Sequence, residues 1–199
     1  MLEIDASLPS ELAPLAWLAG TWEGTGVISY PLDGERVDIE FGQRITFAHH
    51  GLPYLAYSAR AWRIDNEAPI SSETGYWRLA RPAVPSDLGP GMLPATDIAI
   101  SSAEQLERHR RAEGGFEVEA SIVHPNGVHE LYIGTADGPR IDLATDAVMR
   151  SPSAKEQTGS TRMLGLVEEH LLWAWDLARG GSEPVSHASA RLARVKGDS

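Results

Sequence analysis

Gly20-Thr21-Trp22-Glu23-Gly24-Thr25-Gly26, continuing through Val27-Ile28-Ser29-Tyr30, is the stretch whose reading decides the fold. Side chains of an extended chain alternate between two faces. Gly20, Trp22, Gly24 and Gly26 therefore share one face, and Thr21, Glu23, Thr25 and Val27 share the other. One indole among three glycines means that something bulky approaches this backbone, or that the strand bends where a sheet curls. Such a strand suits the start of a small closed β-barrel. A strained edge hairpin is the competing reading.

The chain on either side keeps the same rhythm. Before the glycines, Leu12 to Leu18 carries apolar residues at helix-like spacing, introduced by Pro9-Ser10, and reads as a short helical cap. After them come Val37 to His49, Tyr54 to Ile64 and Glu73 to Leu79, separated by turn residues such as Asp33-Gly34 and Asp65-Asn66. Residues 81–115 break the pattern with Pro82, Pro85, Gly89, Pro90, Gly91 and Pro94, then a charged piece, Glu104 to Arg111. This segment reads as a surface insertion with a helical turn, either tolerated or acting as a lid over the pocket mouth. Strands resume at Phe116 to Val123, Val128 to Gly134, Arg140 to Val148, Thr161 to Val167, Leu171 to Leu177 and Val185 to Val195. Asn126-Gly127 is a strong hairpin turn. The expected fold is all-β, an antiparallel up-and-down barrel of about ten strands.

The composition fits one domain spanning residues 1–199. It is 42% hydrophobic and 23% charged, enough to bury a core without cross-links. Cysteine is absent, which removes disulfides, thiolate metal sites and cysteine nucleophiles. A net charge of −11 repels phosphate backbones and anionic lipid, so neither nucleic acid nor membrane is an expected partner. Glu3, Asp5 and Glu11 lack the basic lead-in of a secretory signal, and the expected location is cytoplasmic.

The sequence contains no Gly-x-Ser-x-Gly elbow, no His-Glu-x-x-His and no phosphate-binding loop. Among seven histidines, adjacent His49 and His50 point to opposite faces of a strand. His124 and His129 flank the Asn-Gly turn and could meet across it, without a carboxylate clearly placed to complete a zinc site. His109 and His170 read as solvated. His187 stands apart, because Ser186, Ala188, Ser189 and Ala190 leave room beside its ring. It is either an axial ligand for a haem iron or a hydrogen-bonded rim histidine.

Several stretches in order resemble the nitrobindin family. They are Gly20 to Gly26 followed by Tyr30-Pro31, Phe47 to Leu55, Glu73 to Arg78, His124 to Gly127, Ala154-Lys155-Glu156 and His187 to Leu192. Together they cover most of the chain outside 81–115. The resemblance implies a fatty-acid-binding-protein-like barrel carrying one haem b per chain, with His187 as axial ligand and Lys155 near the haem. It implies conversion of peroxynitrite to nitrate at ferric haem, with nitric oxide as a second ligand and no catalytic residue beyond the iron. A homodimer is a candidate assembly. Leu32 departs from the family, whose members often carry threonine after the Tyr-Pro pair. The alternative reading is a haem-free carrier of an apolar small molecule inside a lipocalin-like barrel.

Overall fold

The computed structural model describes residues 7–85, 99–178 and 180–196. Ten strands form the architecture: β1 Gly20–Leu32, β2 Glu35–Ala48, β3 Leu55–Arg63, β4 Pro69–Leu79, β5 Phe116–Val123, β6 Val128–Asp137, β7 Arg140–Arg150, β8 Gly159–Val167, β9 His170–Ala178 and β10 Val185–Arg194. Each pairs antiparallel with its sequence neighbours, and β10 returns to β1, closing the barrel. The all-β expectation holds.

The glycines of β1 make that closure. A Cβ on Gly24 would collide with the Arg191 carbonyl and stand 2.9 Å from Leu192 Cα on β10. On Gly26 it would stand 2.5 Å from the Phe41 ring and 2.7 Å from the Ala190 Cβ. The bulky neighbours inferred from the sequence are thus the closing strand and a core aromatic of β2.

Up-and-down connectivity gives the barrel two unlike ends. One end receives the β2–β3, β4–β5, β6–β7 and β8–β9 connections and is plugged by a 3₁₀ helix, Ser10–Leu18. With three residues per turn, Leu12, Leu15 and Leu18 stack on one face, and all three are fully buried. Trp22 Nε1–H donates to the Leu18 carbonyl at 2.8 Å. Arg194 lies over the Trp22 ring at 4.2 Å and donates to the carbonyls of Trp17 and Ala19. A buried Glu11–Arg81 pair at 2.7 Å fastens the plug to the segment after β4.

The other end carries the β1–β2, β3–β4, β5–β6, β7–β8 and β9–β10 turns. Asp33 and Gly34, with φ of 53° and 86°, form the tight β1–β2 turn between paired Leu32 and Glu35. The β4–β5 segment emerges at the plugged end, away from these turns. Its helix, α1 (Ala103–Glu107), is capped by the Ser102 hydroxyl. Ile100 and Leu106 cover Leu79 and Phe116 in a second small core. The described part of 81–115 is therefore no lid on the open end. Gly89, Pro90, Gly91 and Pro94, like Glu3 and Asp5, fall outside the described residues.

Candidate functional site

The site begins with an irregularity in β10. Ser186 pairs with Asp176 and Ala188 with Trp175, so His187 is the extra residue of a β-bulge. Ala188, Ala190 and Leu192 are buried and face the interior. Strict alternation from them would turn His187 outward. The bulge re-aims it, and its ring meets inward-facing Trp175, centroids 5.3 Å apart at 74°. His187 Nδ1 lies 3.2 Å from the Ser29 carbonyl of β1. A carbonyl can only accept, so Nδ1 carries the proton and Nε2 is the basic nitrogen.

Trp175 is held on its own faces. The Arg162 guanidinium lies 4.5 Å from its ring, and the His124 imidazole stacks parallel to it at 5.8 Å. Behind them is a buried polar cluster. Arg162 donates twice to Glu73, at 2.9 and 3.0 Å, and once to the Tyr132 hydroxyl at 3.0 Å. Tyr57 donates to Glu73 at 2.7 Å. His124 Nε2 lies 2.7 Å from Glu130 Oε2, and Nδ1 lies 3.7 Å from Glu73 Oε1. Ser160 and Gln157 each donate to the other Glu130 oxygen at 2.6 Å.

The charges in this cluster are mutually fixed. Burial pushes the Glu73 carboxyl up, but the Arg162 charge and its paired hydrogen bonds outweigh that and hold it down at about 2. Burial likewise opposes ionisation of Glu130, and hydrogen bonding to His124 with the Arg162 charge brings its carboxyl below the ordinary value. Burial and the adjacent Glu73 charge raise the Tyr57 phenol well above its usual range.

Between Gln43, Tyr57, Trp77 and Trp173 lies a cavity of about 20 Å³, enough for one water. A groove of about 890 Å³ lies on the outer face of β8, β9, β10 and β1, where Val27, Met163 and Val167 are exposed.

The residues singled out from the sequence divide between the two ends. Trp22 and Gly20 belong to the plugged end, with Gly24 and Gly26 at the β1–β10 seam. His187 lies in the opposite half. Lys155 is exposed in the β7–β8 connection at the open end, where its carbonyl accepts from Arg150 at 3.4 Å. Leu32, 52% exposed, stands on the same rim. His124 and His129 do not meet: His124 is buried in the interior cluster while His129 is exposed on the outer face. Among the described residues, no group of three or more His, Asp or Glu is placed to hold a metal ion.

The residues around His187 fit a haem iron. A ring anchored through Nδ1–H to a carbonyl and presenting Nε2 is the usual arrangement of a metal-bound histidine.

A closed ten-stranded barrel with an inward, carbonyl-anchored histidine is the frame of a haem-binding barrel protein. Residues 11–194 match the THAP4-like, heme-binding beta-barrel domain, and the chain belongs to this family, the nitrobindins. A peroxynitrite isomerase of Leifsonia xyli subsp. xyli is 55% identical over 98% of this chain and 100% of its own length. Peroxynitrite isomerases of Clavibacter michiganensis subsp. michiganensis and Kocuria rhizophila are 52% and 47% identical, each over 98% of this chain and over 100% and 96% of their own lengths. The crystal structure of Rv2717c from M. tuberculosis superposes with a TM-score of 0.68 at 26% identity, covering 95% of this chain and 99% of that one.

Proposed function

We propose that this chain is a haem-dependent peroxynitrite isomerase, with one haem b held by His187 and nitric oxide as a second ligand of the same site. The observation that carries the reading is the β10 bulge, which aims an imidazole inward while the Ser29 carbonyl fixes its tautomer. Bound ferric haem supplies the Lewis-acid and redox chemistry that rearranges peroxynitrite to nitrate. Reactant and product have the same atoms and charge, so no net proton or electron is needed.

The chain's own part is to hold and to orient. His187 presents Nε2, Ser29 keeps Nδ1 protonated, and Trp175 walls one side of the ring. Lys155, exposed at the open end of a chain with net charge −11, offers local positive charge to haem carboxylates and to anionic substrate. The proposed location is the cytoplasm. The proposed assembly is a homodimer, with the exposed apolar outer face of Val27, Met163 and Val167 as the surface a second copy would cover. Light scattering on Met163→Glu beside the parent protein checks that assignment.

Hemin titration of the purified protein, with His187→Ala in parallel, tests the core of the reading. A saturable one-to-one Soret band in the parent, lost or shifted in the variant, is expected. The loaded protein is expected to speed peroxynitrite decay with nitrate as product. A band identical in both proteins would overturn the ligand, and unchanged decay would overturn the activity.

A further inference from the structure

Among the described residues, three indole nitrogens are buried without a hydrogen-bond partner, those of Trp17, Trp77 and Trp175. Trp17 lies in the plug, and Trp77 packs against Phe47 and Tyr57 in the core. Of the three, Trp175 packs against the His187 ring. A buried N–H left unsatisfied costs free energy. Such a group calls for an explanation, and beside a binding site one explanation is an acceptor that arrives with the ligand.

We propose that Trp175 Nε1–H is a hydrogen-bond donor kept for an anionic oxygen of the group bound at His187. Indole nitrogen donates and never accepts, so its partner must be an acceptor. The Arg162 guanidinium over the ring, 4.5 Å away, draws density from the indole and strengthens its N–H as a donor. Stacking on His124, itself tied to Glu130, fixes the ring plane. Arg162 is in turn fixed by two bonds to Glu73. The donor is thus set in place before any ligand arrives. Two sources can supply the anionic oxygen, a porphyrin carboxylate or a small anion bound beside it. This inference rests on His187 being the ligand.

The test is nuclear magnetic resonance of uniformly ¹⁵N-labelled protein, read at the indole and imidazole nitrogens, loaded with gallium(III) protoporphyrin, a diamagnetic ferric analogue, with its dimethyl ester, and with either plus azide. The Trp175 signal is assigned by its loss in Trp175→Phe or, should that variant not fold, by contacts to the Ala188 methyl across the strand pair. A downfield shift of the Trp175 Nε1–H with the free acid alone identifies a porphyrin carboxylate. A shift that appears only on adding azide identifies the small anion. Hemin affinity or azide affinity, respectively, should also fall roughly tenfold in Trp175→Phe, the scale of a bond to a charged acceptor. An unmoved Trp175 signal while the His187 resonances shift would overturn the proposal and leave the haem reading standing. Unmoved His187 resonances would instead overturn the ligand assignment on which it rests.

Discussion

Arg162 is a guanidinium inside a barrel, kept there by two carboxylates and a phenol. Taking such a charge out of water costs more than one ordinary ion pair returns, so removing a partner should be severe. Glu73→Gln leaves Arg162 buried beside Glu130 at 3.8 Å and without its bidentate pair. We expect it to lower unfolding free energy by about 3–5 kcal/mol in urea titrations. The double variant Glu73→Gln with Arg162→Met should recover part of the loss, since both members of that pair are then neutral while Glu130 keeps its bonds to His124, Gln157 and Ser160; equal losses in both would refute the pairing argument. Acid reads the same pair. The folded Glu73 carboxyl sits at about 2 against an ordinary 4.5, so the unfolded chain binds its proton more readily. Its contribution, on the order of 3 kcal/mol, is complete above pH 4.5 and is lost as pH falls toward 2. The urea midpoint should decline through that window, and less steeply in the double variant.

At the scale of single elements, β10 is where one inserted residue redirects a side chain. Deleting Ser186 removes the bulge and restores strict alternation, which turns His187 to the outer face with Ser189 and Arg191. The variant should keep its strand circular dichroism and lose its hemin Soret band as fully as His187→Ala. A retained band would mean that the bulge does not aim the ring. Nothing in the sequence marks this bulge. Small neighbours single out His187, but the side it faces depends on a register offset against β9. Strand number, order and the helical plug were legible because each rests on local period and turn chemistry, as in Asp33-Gly34 and Leu12-Leu15-Leu18. The polar cluster was half legible. Glu130 lies in phase with Val128 and Tyr132, and Arg162 in phase with Leu164, so both stand at inward positions. What pairs them is not local: Arg162 and Glu73 are 89 residues apart.

For the whole molecule the governing fact is that the barrel's ends differ. The glycine-tryptophan stretch that decides the fold builds the plug and the seam, while the histidine that carries the proposed function lies in the other half. Odd and even connections of an up-and-down barrel emerge at opposite ends, so a segment between β4 and β5 belongs with the plug. The sequence, which shows the segment but not its end, allowed it to be a lid. Its described residues instead stabilise the closed half, through Ile100 and Leu106 on Leu79 and Phe116 and through α1 beside the plug. Replacing residues 84–112 by a short turn should expose Leu79 and Phe116 and cost about 2–5 kcal/mol in unfolding free energy. Arg81, outside the deletion, keeps its bond to Glu11. Hemin affinity should stay within about twofold, because the lost contacts lie across the core from His187. A tenfold loss of affinity in a folded deletion variant would show that the segment reaches the open end after all.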